Sequence, residues 1–385
     1  MRPIRQLVWG ICLLSAIAAA ADDTPVVPTQ DQIENSVDRG VAFLLGSQNS
    51  NGSWGSAHQT KGLNIYAPVP GAHDAFRAAV TAMGVTALIE SGRVESNPAA
   101  ETALEKAEAY LKEHLPLVRR ATGDAIYNVW THGYGIQALV RMHERAIAAG
   151  DQEMADRIKT LIDQQVDMLG RYESVDGGWG YYDFRAQTRR PSSSSISFTT
   201  ATMLVAFHEA EARVPGVEVP DGMVDRAIKA LNRQRKSDNS YLYGEYLKAR
   251  PMYGINRPGG SLGRSQACNI ALRFWGDQTV TDDVLEEWLV RLGDRNGWLS
   301  IGRKRPIPHE SWFQVAGYFY YYGHYYAALC IQDLPPEKRP PHQKMLAGVL
   351  LGLQEKDGSW WDFPFYSYHQ PYGTAFAVMA LSRCR

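Results

Sequence analysis

The chain has 385 residues, of which 45% are hydrophobic and 21% are charged, the proportions of a globular protein. This length allows one large domain or two of ordinary size. Its 40 Lys and Arg residues balance 41 Asp and Glu residues, for a formal net charge of −1. Such a balance excludes a broad basic surface, and we expect no nucleic-acid partner.

The N-terminus is typical of a cleaved secretory signal peptide. Arg2 and Arg5 precede an apolar run at 7–17, and small residues follow at 18–21. We therefore predict that residues 1–21 are a signal peptide and that the mature chain is exported, to the periplasm or the extracellular space. The apolar run is too short to span a bilayer well, and no longer one follows, so we expect no transmembrane segment in the mature chain.

After a predicted flexible segment at 22–32, a repeat extends through the predicted single domain at 33–385. An apolar segment ending in Ala followed by Leu or Phe occurs six times, with the Ala at Ala87, Ala138, Ala206, Ala271, Ala328 and Ala380. Seven residues before each Leu or Phe, or two helical turns, stands a hydrogen-bonding residue: Thr81, His132, Thr200, Ser265, Tyr322 and Thr374.

These six segments are apolar nearly all round, so as helices they need burial on every side. Amphipathic segments alternate with them and start near Ile33, Asn97, Met154, Val224, Val284 and His342. We predict an all-α protein, an α6/α6 toroid, in which six buried inner helices are ringed by six amphipathic outer ones. The inner helices should begin near residues 74, 128, 197, 262, 310 and 370. An open α-solenoid is the alternative.

A second motif lies in the turns that leave the outer helices. QNSNGSWG spans 48–55 and QEKDGSWW spans 354–361, while ESVDGGWG at 173–180 keeps the Gly and Trp but lacks the Gln. Asn-Gly and Asp-Gly end a helix through a positive φ, and the Trp packs over the turn. The motif residues are Gln48, Gly52, Trp54, Gly177, Trp179, Gln354, Gly358 and Trp360.

These Gln-x-x-x-Gly-x-Trp motifs, with the sixfold period, resemble the repeat of the terpenoid cyclase and protein prenyltransferase superfamily over nearly all of 33–383. The resemblance implies an α6/α6 toroid with a central cavity, but no single activity. The Asp-x-Asp-Asp motif of class II cyclases and the Cys-Gly-Glu-Gln motif of thioester proteins are absent from this chain. Cys268 lacks the Asp two residues earlier that the zinc site of prenyltransferases has. We therefore expect no metal and no cofactor.

Polar and aromatic residues gather where the inner helices are predicted to begin, which is the mouth of a toroid. A histidine there can exchange a proton near neutral pH, and an arginine can neutralise a carboxylate. The catalytic candidates are His309, Glu310, His132, His369 and Arg264. The candidates for the cavity lining are Asp74, Arg77, Trp130, Gln266, Trp312, Tyr318, Tyr322 and Tyr372. The alternative is that these side chains only satisfy one another around a packed centre.

Three functions remain open. A binding or scaffold role is favoured by the missing catalytic motifs. An isoprenoid-binding or terpenoid-cyclase-like enzyme is favoured by the aromatic inner helices, whose ring faces stabilise cations. An α/α-toroid polysaccharide lyase or hydrolase fits the export signal and the Tyr, His and Arg side chains. The partner is accordingly an apolar small molecule, a glycan or a protein, and the lining of the cavity should separate these possibilities.

Overall fold

A computed structural model describes residues 28–60, 70–118, 128–180, 195–305 and 314–385 of the chain. The predicted signal peptide lies outside these ranges, and so do three site candidates, His309, Glu310 and Trp312.

The described residues form thirteen α-helices joined by turns. In chain order they are α1 (Gln30–Ser47), α2 (Pro70–Glu90), α3 (Pro98–His114), α4 (Asn128–Ala148), α5 (Gln152–Tyr172), α6 (Ser197–Arg213), α7 (Asp221–Gln234), α8 (Pro258–Phe274), α9 (Asp282–Asp294), α10 (Asn296–Ser300), α11 (Tyr320–Asp333), α12 (Arg339–Leu351) and α13 (His369–Ser382). Among them, no helix combines the length and the apolar character that crossing a membrane requires.

The inner helices form a closed ring. Helix α2 packs on α4, α4 on α6, α6 on α8, α8 on α11 and α11 on α13, and α13 returns to pack on α2. The first five inner helices pack on the outer helix that follows them, and α13 packs on α1. Closure through α13 confirms the predicted toroid and excludes the open solenoid.

Burial follows the two sequence patterns. In α6, residues 197–207 are all buried, as expected for a helix with neighbours on every side. In α5, the buried side chains include Ile158, Ile162, Val166 and Leu169, which recur every three or four residues and mark one face. The inner ring is thus the core, and the outer ring separates it from water.

The fifth inner helix differs from the prediction. It begins at Tyr320, after a 3₁₀ turn at Gly317–Phe319, and not near residue 310. Gln314 has a φ of 52°, which a right-handed helix cannot include. At Gly317, an added Cβ would lie 2.6 Å from the carbonyl oxygen of Gly302, so two backbones approach closely there. The other inner helices begin within four residues of the predicted positions.

The three Gly-Trp turns have the same geometry. Gly52, Gly177 and Gly358 have φ values of 86°, 90° and 88°. A Cβ on each would lie 2.3, 2.5 or 2.4 Å from a backbone carbonyl oxygen of the adjacent outer helix, at Lys106, Arg226 and Arg39 respectively. Only glycine permits both the positive φ and this close approach. The turn motif is therefore where one outer helix contacts the next.

The tryptophans explain part of the recurring polar position. The backbone N–H of Trp54 donates to Thr81 Oγ1 at 3.1 Å, and its indole N–H donates to the carbonyl of Leu44 at 2.8 Å. Trp179 and Trp360 repeat both bonds, with Thr200 and Leu169 and with Thr374 and Leu350. Three of the six polar residues thus accept a hydrogen bond from a turn.

The first residue of each motif connects neighbouring outer helices. Gln48 Nε2 donates to the carbonyls of Gly52 and, in α3, Ala103, at 3.0 and 2.7 Å. Gln354 Nε2 donates in the same way to Gly358 and, in α1, Ser36. In the turn that lacks the Gln, Glu173 instead accepts two bonds from Arg226 of α7, at 2.8 and 2.7 Å. An ion pair there replaces the amide contact.

Candidate functional site

A cavity near the ring centre is enclosed by aromatic side chains. The free volume inside it is about 10 Å³, roughly the space of one water molecule. The lining consists of Trp130 and Tyr134 from α4, Phe198 from α6, Tyr318 and Phe319 from the 3₁₀ turn, Tyr322 from α11 and Tyr372 from α13. No carboxylate or amine belongs to this lining.

Helical spacing and ring packing place these side chains. Trp130 and Tyr134 are four residues apart and share one face of α4. The Phe198 ring lies 4.7 Å from Phe319 at 88° and 5.6 Å from Tyr322 at 83°. These edge-to-face contacts are favourable and hold the cavity walls in one arrangement.

The phenol groups of three lining tyrosines bond to the protein. Tyr322 OH donates to the carbonyl of Phe198 at 3.0 Å, and Tyr372 OH donates to that of Tyr318 at 3.2 Å. Tyr318 OH lies 3.3 Å from Tyr243 OH. Burial raises the pKa of Tyr322 and Tyr372 well above the usual value, so both phenols stay neutral. With these hydroxyls engaged, the cavity presents mainly ring surface.

Arg264 lies directly behind the cavity wall. Its guanidinium carbon is 5.9 Å from the centre of the Phe319 ring and 5.8 Å from that of Tyr243. It donates to the carbonyls of Tyr241 at 3.1 and 2.9 Å, Gly260 at 2.8 Å, and Ile255. Burial lowers the pKa of Arg264 to about 10. Arg264 thus joins the loops before α8 to the cavity wall, which it contacts at Phe319.

His132 faces the outer ring. Its Nδ1 lies 2.7 Å from Gln165 Oε1, and its ring is stacked 5.9 Å from that of Tyr172, both in α5. Burial lowers the pKa of His132 to about 4, so the imidazole is neutral at pH 7. His132 is two residues from Trp130, about 200° around the helix, and therefore points away from the cavity.

His369 lies at the start of α13, beside the loop that precedes it. Its Nδ1 is 2.6 Å from the carbonyl of Tyr366 and 3.4 Å from Thr60 Oγ1. Because a carbonyl only accepts, Nδ1 carries the proton and donates it to Tyr366. The ring contacts Trp361 edge-on at 5.2 Å. The contacts of His369 are with the loop before α13 and with Thr60, so it does not share a site with His132 or Arg264.

The remaining candidates lie at the protein surface, between the inner and outer helices, or in the cavity lining. Asp74 is exposed and lies 3.8 Å from Arg77. Gln266 donates to the carbonyl of Trp288 in α9 at 2.9 Å and so faces the outer ring. Four predicted lining residues do line the cavity, namely Trp130, Tyr318, Tyr322 and Tyr372. Within the described ranges, no three His, Cys, Asp or Glu side chains converge as metal ligands.

Sequence reasoning missed three lining residues and one buried acid. Tyr134 could have been found from its spacing of four residues after Trp130, whereas Phe198 and Phe319 carried no separate signal. The acid is Asp362, which is 1% exposed and accepts a hydrogen bond from the backbone N–H of Tyr321 at 3.1 Å. Burial raises the pKa of Asp362 to about 7. Its signal was a single acid within the aromatic run WWDFPF.

No family model matches the chain. Three solved structures share its fold. A variant of the type II terpene cyclase MstE from Scytonema, bound to geranylgeranyl dihydroxybenzoate, has a TM-score of 0.51 and 16% identity over 92% of this chain and 97% of that one. An inactive variant of the α-1,6-mannanase GH76A of Salegentibacter has a TM-score of 0.52 and 11% identity, with 91% and 98% covered.

The third is a D-mannose isomerase, with a TM-score of 0.55 and 11% identity over 94% of this chain and 98% of that one. The three likenesses agree with the closed ring of helix pairs, and they confirm the resemblance to the terpenoid cyclase superfamily at the level of the fold. At these identities the fold is what is shared, and function has to be argued from the cavity.

Proposed function

We propose that this chain is an exported binding protein that takes up a small apolar molecule, of the isoprenoid or simple aromatic class, in its central cavity. The observation that carries the proposal is the lining, in which seven aromatic side chains enclose the volume. Tyr318, Tyr322 and Tyr372 direct their hydroxyls to other protein groups, so a ligand meets ring faces. Such a surface favours apolar contact over hydrogen bonding.

The volume limits the size of the ligand. An apolar cavity of about 150 Å³ accepts one benzene molecule, whereas only about 10 Å³ is free here, so a ligand enters only if lining side chains move apart. A sugar would leave its hydroxyls unpaired against the rings, which is costly in a closed space. The lining therefore favours an isoprenoid or aromatic ligand over a glycan. A centre that stays filled when an apolar ligand is added would favour a purely scaffolding role.

Titration of the mature protein with geraniol, followed by tryptophan fluorescence, tests the proposal. We expect saturable binding of geraniol and none of an unsaturated uronic-acid disaccharide. Phe198→Trp narrows the cavity and should weaken geraniol binding at least about tenfold, since overpacking forces neighbouring side chains from their positions. Phe274→Trp, in a half-buried position outside the cavity lining, is the control and should bind as the wild type does. Binding of the disaccharide alone would contradict the proposal.

A terpenoid-cyclase-like activity is the second candidate, and Asp362 favours it. This buried acid contacts the backbone of Tyr321, next to the lining residue Tyr322. With a pKa of about 7 it holds a proton in mildly acidic solution. Asp362 lies outside the lining, so the side chains around it would have to move for it to reach a ligand. Transfer of its proton to a carbon–carbon double bond would then create a carbocation that ring faces stabilise. The similar cyclase MstE is described with a geranylgeranyl substrate, which makes isoprenoid alkenes the class to test.

Incubation with geraniol and farnesol, followed by gas chromatography and mass spectrometry, separates the two candidates. Cyclised products from the wild type that disappear in Asp362→Asn would establish the enzyme. Saturable binding without products would leave the binding role.

A further inference from the structure

A segment beside the starts of α6 and α8 exposes apolar side chains to solvent. We call residues 245–257 the rim segment; it contains two 3₁₀ turns, Glu245–Leu247 and Gly254–Asn256. Tyr246 is 59% exposed, Met252 68% and Tyr253 42%. Trp298 of α10 is 48% exposed and packs over Gly259, just after the segment. Large apolar side chains gathered in this way mark an interaction surface.

From residue 246 onward, all charges of the rim segment are positive. Lys248, Arg250 and Arg257 are exposed, and residues 246–257 contain no acid. In the part of the chain that the structure describes, none of the three forms an ion pair with a carboxylate; Arg257 donates to the carbonyl of Met252 at 2.9 Å. Glu245, at the edge of the segment, is bound by Arg233 at 2.6 and 2.9 Å. The described part of this surface thus combines exposed apolar side chains with Lys and Arg side chains that no described carboxylate pairs with.

We infer that the rim segment docks on a lipid bilayer that contains anionic phospholipids. Tyrosine and methionine tips enter the headgroup region, while lysine and arginine extend to the phosphates. The apolar side chains stand on projecting turns at 42% exposure or more, which suits insertion into a soft surface better than a matched protein groove. The absence of acid from residues 246–257 complements the negative surface of such a membrane.

The position of the segment links this surface to the cavity. Tyr243 lies just before it, and the Tyr243 hydroxyl is 3.3 Å from that of Tyr318, which lines the cavity. The backbone N–H of Glu245 donates to the carbonyl of Ser195 at 3.3 Å, just before α6. The lining residues Trp130, Phe198 and Tyr372 lie in the first turns of inner helices, so docking would bring the end of the ring that is nearer the cavity to the bilayer, where apolar molecules accumulate. Only this last step rests on the proposed binding function.

Co-sedimentation of the mature protein with vesicles tests the docking. We expect binding to phosphatidylcholine vesicles with about one third phosphatidylglycerol, little binding to phosphatidylcholine alone, and release by added salt. The double variant Lys248→Glu/Arg250→Glu should bind at least about 30-fold more weakly. Its control is Lys229→Glu/Lys344→Glu, which makes the same charge change on exposed positions of α7 and α12. Tyr246→Ser/Met252→Ser should also weaken binding, whereas Ile147→Ser near the end of α4 should not.

Two results would overturn the inference. One is a wild type that stays in the supernatant with anionic vesicles; the other is a Lys248→Glu/Arg250→Glu variant that binds like its control. Retention on a soluble polyanion such as polyglutamate without vesicle binding would likewise exclude a lipid surface. The vesicle assay contains no ligand, and Phe198→Trp should bind vesicles normally. Failure of docking and failure of ligand binding are therefore separate outcomes.

Discussion

At the scale of single residues, Asp362 both caps a helix and binds a proton in the folded protein. Its carboxylate accepts from the backbone N–H of Tyr321 and so caps the start of α11 from a distant loop. Burial raises its pKa to about 7, although that hydrogen bond acts in the opposite direction. The folded protein therefore binds a proton at Asp362 over a pH range in which the unfolded chain, with a pKa of about 3.9, has lost it.

Replacement Asp362→Asn should change how stability depends on pH. Since the folded pKa is raised, the contribution of Asp362 is fully present below about pH 4 and is lost as the pH rises through about 7. From about pH 4 to above pH 7, the free energy of unfolding of the wild type should fall by up to roughly 4 kcal/mol more than that of the variant. Urea unfolding at pH 5 and pH 8 measures this, with the exposed Asp283→Asn as control. Equal slopes in all three proteins would refute the assignment.

At the scale of helices and turns, the glycine of each Gly-Trp turn should be indispensable. Gly358→Ala places a Cβ 2.4 Å from the carbonyl oxygen of Arg39 at a φ of 88°, whereas Gly276→Ala has a similar φ of 82° and meets nothing within 4 Å. Gly276→Ala only forces an alanine into the left-handed conformation, which should lower the free energy of unfolding by about 1–2 kcal/mol. Gly358→Ala adds a clash between two outer helices, so we expect it to lower the free energy of unfolding by about 3 kcal/mol or more.

Chemical denaturation of both variants measures the difference. Similar losses of unfolding free energy would show that the contact between outer helices is unimportant.

The sequence predicted these elements well because their signals are local. Helix alternation, the turn glycines and the recurring polar position all follow from residues a few places apart. The partner of that position was not predictable, since Thr81 pairs with a turn 27 residues earlier in the chain. His132 occupies the same aligned position but meets Gln165 instead. Helical spacing gives the face on which a side chain lies and leaves open which neighbour it meets.

At the scale of the whole molecule, the inner helices run in the same direction. Glu90, Arg141 and Glu209 lie in the second halves of α2, α4 and α6, and Arg383 directly follows α13. Their side chains meet at one end of the ring. The converging helix C-termini make that end negative, which favours the two arginines. Although burial opposes ionisation, Arg383 and Arg141 hold the pKa of Glu90 at about 2. The sequence predicted the ring from its period, but this network depends on closure and could not be read in advance.

Breaking this network should destabilise the protein strongly. Arg141→Gln leaves Glu209 without its buried partner and Glu90 with Arg383 alone, and we expect a loss of unfolding free energy of about 3–5 kcal/mol. Arg213→Gln removes an ion pair with Glu144 whose side chains are 34% and 43% exposed, so it should cost less than about 1 kcal/mol. Thermal and urea unfolding at neutral pH compare the two. A loss no larger for Arg141 than for Arg213 would show that the network adds little.

The contact of α13 with both α1 and α2 also limits how such a chain can grow. A linear array of repeats lengthens by copying a unit, and its two ends need polar capping units. Here α1 and α13 cover each other, so the ring needs no capping unit. Copying one helix pair would change the circumference of the whole ring, and every contact between inner helices would have to adjust. Insertions that leave the ring unchanged therefore fall in the connections between helices.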